Sequence, residues 1–107
     1  MTPKELKKSL DTHQKMLVLD VRTLEEYNEA HIPGVFHCPL DQLTVDRIHE
    51  GLKKNGLKDT DLIVITCKAG PRALKAYELL KDHFDNLQVL EGCTDAWINC
   101  DFPVSCG

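Results

Sequence analysis

The chain has 107 residues, enough for one compact domain with little room for a second core. Its composition, 42% hydrophobic and 28% charged, is typical of a folded globular protein and excludes a disordered chain. A net charge of −4 without a cluster of Lys and Arg excludes a protein that coats nucleic acid, because phosphate binding needs concentrated positive charge.

No stretch of the sequence predicts a membrane or export segment. The apolar runs fall well short of the roughly 18 to 20 residues that cross a bilayer. Residues 1–10 are polar and Lys-rich, unlike a signal peptide. We therefore expect a cytoplasmic protein without a membrane partner, organised as one domain over residues 1–107. Whether the chain belongs to a larger protein stays open.

Five cysteines are many for a chain of this size. Their spacings contain no C-x-x-C pair and match no zinc pattern, so we expect no metal site. A disulfide framework is not expected without an export signal. The five are Cys38, Cys67, Cys93, Cys100 and Cys106.

Signals for helices and strands alternate through the first half of the chain. Residues 2–5 (TPKE) and 23–26 (TLEE) have the pattern of capping boxes, each opening a helix. Between them, the nearly continuous apolar run at residues 16–21 predicts a strand covered on both faces. A short strand is expected at residues 35–38, where Pro39 stops it.

The same alternation continues through the second half. A helix is expected from Thr44 to a stop at Gly56, and residues 62–66 (LIVIT) form the clearest strand of the chain. Apolar residues at helical spacing follow over residues 73–80, and a last strand is expected at residues 87–90. Buried strands that alternate with amphipathic helices predict an α/β fold, with a parallel sheet covered by helices on both faces.

The segment that points to chemistry is residues 66–73 (TCKAGPRA), in which a buried strand ends at Cys67 and a helix begins near Pro71. At the carboxyl ends of parallel strands, helix N-termini present free N–H groups and the positive end of the helix dipole. These groups and the charges of Lys68 and Arg72 favour a thiolate over a thiol. Gly70 lets the backbone curl so that its amides point inward as an anion-binding nest. The pattern predicts that Cys67 is a nucleophile.

This segment, Cys-x-x-Gly-x-Arg after an apolar strand, resembles the active-site loop of rhodanese-like domains. Four further segments occur in that family's order, and the resemblance extends from about Leu6 to Val104. The four segments are residues 20–22 (DVR), residues 26–27 (EY), residues 31–35 (HIPGV), and residues 90–92 (LEG) with residues 96–97 (AW).

The resemblance implies a three-layer α/β/α fold around a four- to five-stranded, mainly parallel sheet. In that sheet, the strand of Asp20 and the strand at residues 87–90 flank the strand of Cys67. Asp20 is then expected to hydrogen-bond the backbone around the loop, with Arg22 in a supporting position, and Trp97 to pack behind the loop.

The resemblance also implies the activity of a sulfurtransferase. Cys67 would take a sulfane sulfur from a small anion such as thiosulfate or a polysulfide, hold it as a persulfide, and pass it to cyanide, a thiol or a protein acceptor. Lys68 is expected to meet the anionic donor, and Arg72 to stiffen the loop. No metal or organic cofactor is expected. The amides expected to bind the transferred sulfur are those of Ala69, Gly70, Arg72 and Ala73.

Loop length separates two classes of enzyme that share this fold. Cysteine phosphatases of the cell-cycle control type need five residues between Cys and Arg to enclose a phosphoryl group, whereas four residues separate Cys67 from Arg72 here. The shorter loop favours a single sulfur atom over a tetrahedral phosphate. The alternative that stays open is a non-catalytic docking or persulfide-relay module.

Cys93 stands where the family normally has a second Gly after Gly92. The implied sheet order puts it on the same edge as Cys67, so one interpretation is a resolving thiol that forms a disulfide or accepts the sulfur. The other is a structural thiol, the commoner role of a buried Cys. The same two interpretations apply to Cys38.

Overall fold

A parallel sheet of four strands forms the centre of the structure, a computed structural model that describes residues 1–107. The strands are β1 (Met16–Asp20), β2 (Phe36–His37), β3 (Leu62–Thr66) and β4 (Leu87–Val89). Their order in the sheet is β2-β1-β3-β4, and every neighbouring pair is parallel. The predicted arrangement, with the Cys67 strand between the other two, is therefore confirmed.

Five α-helices and one short 3-10 helix connect the strands. Both predicted capping boxes are present. The Thr2 and Thr23 hydroxyls accept from the backbone N–H groups of Glu5 and Glu26, whose carboxylates accept from the backbone N–H groups of the two threonines. The helices are α1 (Pro3–Asp11), α2 (Leu24–Glu29), α3 (Val45–Lys54), α4 (Pro71–Leu80) and α5 (Cys93–Asn99), with the 3-10 helix at Leu40–Gln42. None of them combines the length and the apolar character needed to cross a membrane.

The sheet separates two apolar cores because successive side chains of a strand point to opposite faces. Leu17 and Leu19 of β1 lie in the core formed with α3 and α4, whereas Val18 lies in the core formed with α1 and α5. The structure is thus three-layered, as predicted. Trp97 is 1% exposed and belongs to the α1/α5 core.

The register of the central strands brings their carboxyl ends level. Asp20 at the end of β1 lies opposite Thr66 at the end of β3, and the backbone N–H of Val21 donates to the Thr66 carbonyl at 3.0 Å. Cys67 follows Thr66 directly. It therefore lies at the carboxyl ends of the strands, where the N-termini of helices converge.

The chain enters α5 through two consecutive residues with left-handed backbone, Gly92 (φ +71°) and Cys93 (φ +54°). The sequence patterns did not predict this helix, because its N-terminus has no side-chain cap. A Cβ at position 92 would lie 2.5 Å from the Cβ of Ala96, so only glycine fits there.

We predict that Gly92→Ala lowers the free energy of unfolding by more than about 2 kcal/mol, because a left-handed residue with a Cβ costs about 1–2 kcal/mol and the new methyl also meets Ala96. Gly34→Ala is the matched control: its φ is +79°, but nothing lies within 4 Å of its Cβ position. Urea unfolding measures both variants. Equal losses in the two variants would contradict the steric role assigned to Ala96.

Candidate active site

The sulfur of Cys67 lies inside a curl of backbone between β3 and α4. The N–H of Gly70 donates to Cys67 Sγ at 3.0 Å, and the amides of Ala69 and Ala73 also lower the pKa of Cys67. Gly70 has φ +146°, which glycine tolerates best, and Pro71 then begins α4. Of the four amides predicted to bind the transferred sulfur, that of Gly70 donates to Cys67 Sγ itself, and Arg72 pairs with Glu26 through its side chain.

A second thiol lies against the first. Cys93 Sγ is 3.8 Å from Cys67 Sγ, and the two residues are 0% and 1% exposed. The hydrogen bond from Cys93 has the largest effect on the pKa of Cys67. Together with the loop amides it outweighs the effect of burial, so the pKa of Cys67 lies well below the ordinary value of a thiol. The pKa of Cys93 is raised, because its proton is held by Cys67 and because it is buried. Both directions favour the thiolate at Cys67 and the thiol at Cys93.

Arg72 is held by an ion pair with a residue of another helix. Its two terminal nitrogens donate to the two carboxylate oxygens of Glu26 at 2.6 and 2.8 Å. This contact lowers the pKa of Glu26 to about 2. The bidentate geometry fixes the guanidinium beside the loop, and its positive charge acts on the Cys67 thiolate.

Asp20 and Arg22 form a buried pair instead of contacting the Cys67 loop. The Asp20 carboxylate accepts from the Arg22 backbone N–H at 3.0 Å and from its guanidinium at 2.8 to 3.1 Å. The expectation that the Asp20 side chain binds the backbone around the loop is therefore wrong, because Arg22 folds back and occupies both carboxylate oxygens. A second bond from Arg22 reaches the carbonyl of Ala30 at 2.7 Å.

Lys68 lies at the solvent side of the loop. Its side chain is 63% exposed, and its Nζ lies 3.6 Å from a carboxylate oxygen of Asp95. Lys68 and Asp95 line a depression of about 100 Å³ together with Arg22 and Glu26. Each of the three cations around the loop (Arg22, Lys68 and Arg72) thus has a carboxylate partner.

The first turn of α5 holds the loop from its other side. The N–H of Thr94 donates to the Cys67 carbonyl and that of Asp95 to the Lys68 carbonyl, both at 3.0 Å. The Thr94 hydroxyl also hydrogen-bonds the Thr66 hydroxyl at 2.9 Å. Sequence reasoning missed Thr94, Asp95 and the ion pair of Glu26 with Arg72. No local pattern predicts these contacts, because each partner is distant in the sequence.

No group of three or more His, Cys, Asp or Glu side chains is arranged to hold a metal ion. Chemically, backbone amides and one thiol can stabilise a sulfur anion at Cys67. The next residue, Lys68, lines the small depression of charged side chains.

Comparison with known proteins identifies the family. Residues 2–100 match the profile of the rhodanese-like domain. A putative sulfur carrier protein, YrkF of Bacillus subtilis, is 37% identical over 75 residues, covering 70% of this chain and 37% of that protein. The chloroplastic thiosulfate sulfurtransferase 16 of Arabidopsis thaliana is 30% identical over 95 residues, covering 79% and 76%.

The fold also matches solved structures. The crystal structure of the Alr3790 protein from Anabaena sp. superposes with a TM-score of 0.85 at 26% identity, covering 99% of this chain and 80% of that one. The chain spans little more than a third of the length of the Bacillus relative. From the profile match over nearly its whole length, the chain belongs to the rhodanese-like domain family.

Proposed function

We propose that this protein is a sulfurtransferase that moves a sulfane sulfur through a persulfide on Cys67. The observation that carries the proposal is the buried sulfur of Cys67, which accepts from the Gly70 amide at 3.0 Å and lies 3.8 Å from Cys93 Sγ. These surroundings lower the pKa of Cys67 and so favour its thiolate. The names of the two curated relatives, a sulfur carrier and a thiosulfate sulfurtransferase, support the same chemistry.

The first half-reaction loads Cys67. Its thiolate attacks the sulfane sulfur of thiosulfate, the sulfur–sulfur bond of the donor breaks, and sulfite leaves with the bonding electron pair. With a polysulfide as donor, the leaving group is the shortened polysulfide. The negative charge moves onto the outer sulfur of the persulfide, and the loop amides are the donors that stabilise it in this proposal.

The second half-reaction removes the outer sulfur from Cys67. A thiolate or cyanide attacks the outer sulfur, and Cys67 leaves as the thiolate that the site already stabilises. A depressed pKa makes Cys67 a good leaving group as well as a nucleophile that is ionised at neutral pH. No proton has to be transferred in either half-reaction.

The surroundings of Cys67 narrow the class of donor. Because the residue is 1% exposed, access favours small sulfur compounds over bulky ones. Lys68 is the cation best able to meet an anion, since it is exposed and its contact with Asp95 is long. Arg22 and Arg72 are each committed to a shorter, bidentate carboxylate contact.

We predict that thiosulfate, polysulfide or mercaptopyruvate adds one sulfur atom to the wild-type protein and none to Cys67→Ser. Intact-mass spectrometry without reductant, on samples quenched with acid directly after the donor is added, measures the gain before any later step can remove the sulfur, and thiocyanate formation with cyanide measures turnover. A wild-type protein whose mass none of the three donors changes, and which forms no thiocyanate, would favour the docking module over the enzyme. Sulfur gained only from a protein persulfide would favour the relay.

We predict that Arg72→Ala slows transfer about tenfold or more, which is about 1.4 kcal/mol in the barrier, because the Glu26 contact that fixes the loop is lost. Lys68→Ala is expected to stay within about fivefold, since an exposed charge contributes at most about 1 kcal/mol. Arg72→Lys keeps the positive charge but loses the bidentate contact with Glu26. Its rate therefore separates the effect of the charge from the effect of loop rigidity. Equal rates in wild type, Arg72→Ala and Lys68→Ala would remove the loop cations from the mechanism.

We predict that Cys67 titrates well below the ordinary thiol value of about 8.5. A hydrogen bond to the ionised form lowers a pKa, so Cys93→Ala should raise the pKa of Cys67. Ultraviolet absorbance of the thiolate measures the titration in a protein whose exposed Cys100 and Cys106 are replaced by Ser. Cys38→Ala is the control, because burial raises the pKa of Cys38 and its loss should leave the titration below neutral pH unchanged. An unchanged midpoint in Cys93→Ala would contradict the role of the thiol pair.

A further inference from the structure

The two thiols at the site form a pair that sulfur transfer to an outside acceptor does not require. Cys93 Sγ lies 3.8 Å from Cys67 Sγ, and both residues are buried. The other cysteines are differently placed: Cys100 and Cys106 are exposed, and Cys38 makes no hydrogen bond to either member of the pair. The backbones are also joined, since the N–H of Thr94 donates to the Cys67 carbonyl at 3.0 Å.

Cys93 occupies this position at a conformational cost. Its φ of +54° lies in the left-handed region, which costs a residue with a Cβ about 1–2 kcal/mol and a glycine almost nothing. Backbone strain of this kind persists where the surrounding structure enforces it, and it is concentrated at functional sites. The strained backbone carries a thiol to the one sulfur at which the proposed chemistry occurs.

We propose that Cys93 is a resolving thiol that attacks the inner sulfur of the Cys67 persulfide, releases the outer sulfur as hydrogen sulfide, and leaves a Cys67–Cys93 disulfide. This inference rests on the proposed function, since it needs the persulfide on Cys67. It adds a further activity, the reduction of sulfane sulfur to sulfide within one chain.

The step balances without an outside reagent. The bond between the two cysteine sulfurs forms while the bond between Cys67 Sγ and the outer sulfur breaks. The outer sulfur leaves with the electron pair and takes the proton of Cys93, so that it departs as HS⁻ from a persulfide anion. The two cysteine sulfurs supply the two electrons that reduce the sulfane sulfur.

The geometry suits this direction of attack. Cys93 reaches Cys67 Sγ from the start of α5, whereas the Gly70 amide reaches the same sulfur from the loop before α4. The thiol proposed as nucleophile and the amide that binds the sulfur therefore come from different elements. A disulfide needs the two sulfurs to approach from 3.8 Å to about 2.05 Å, a movement of the two side chains within the buried pair.

The disulfide must be reduced before the next turnover. A low-molecular-weight dithiol or a protein dithiol reductant would do this by thiol–disulfide exchange. Over a full cycle, one sulfane sulfur and one dithiol are then converted into sulfide and an oxidised dithiol. An outside thiol that takes the outer sulfur first would divert the persulfide from this route.

The test loads the protein anaerobically with a sulfur donor, removes excess donor by gel filtration, and follows the protein mass and the trapped sulfide without added thiol. The wild type should release about one sulfide per loaded chain and become two hydrogens lighter than the reduced protein. Peptide mapping should then link Cys67 to Cys93. The rate should not depend on protein concentration, because the step is intramolecular.

Cys93→Ser and Cys93→Gly should keep the added sulfur as a stable persulfide and release at least tenfold less sulfide. The Gly variant adopts the left-handed backbone without strain, which guards against a folding defect in the Ser variant, and circular dichroism checks both. Cys100→Ser, which removes an exposed thiol, should behave as the wild type.

A stable persulfide in the wild type, or equal sulfide release from all variants, would overturn the role of Cys93 while leaving the sulfurtransferase intact. Failure of Cys93→Ser, Cys93→Gly and the wild type to gain sulfur from any donor would instead overturn the proposed function, and this inference with it.

Discussion

A sulfur anion that is almost fully buried has to be compensated by the groups around it. Burial by itself favours the neutral thiol, and Cys38 demonstrates this in the same chain: it is 2% exposed, and burial raises its pKa. Cys67 is 1% exposed, yet its pKa is lowered. The difference lies in the hydrogen bonds from Cys93 and from the amides of residues 69, 70 and 73, which Cys38 lacks.

The rest of the fold keeps those donors in position. β3 fixes the residue before Cys67 between two neighbouring strands, and α4 supplies the amides at its N-terminus. The ion pair between Arg72 and Glu26 ties α4 to α2, while Thr94 ties the loop to α5. Three helices thus converge on the four loop residues 67–70, which explains how a loop with only one glycine keeps a fixed curl.

The charges around the loop are balanced rather than uniformly positive. Arg22, Lys68 and Arg72 face Asp20, Asp95 and Glu26, so the field that stabilises the Cys67 anion comes mainly from backbone dipoles and one thiol. Dipoles and a neutral donor stabilise an anion without offering a strong independent site for other anions. This balance fits a site that holds one sulfur atom, and it makes Cys93 a direct participant in the electrostatics of Cys67.

The sequence by itself determined most of the elements and singled out Cys67 as the predicted nucleophile. Capping boxes at Thr2 and Thr23, the apolar runs of β1 and β3, and the Cys-x-x-Gly-x-Arg segment are local patterns, and local patterns follow from backbone hydrogen bonding and the burial of neighbouring residues. The start of α5 escaped prediction because Gly92 and Cys93 open it with left-handed backbone and no cap.

Only the tertiary structure decided which side chains meet. Glu26 and Arg72 are 46 residues apart in the chain, and Cys67 and Cys93 are 26 apart. Asp20 turned to Arg22 rather than to the loop, because a flexible guanidinium two residues away reaches both carboxylate oxygens. Such pairings depend on strand order, register and side-chain conformation, and those are set by the packing of the whole domain rather than by any local run of residues.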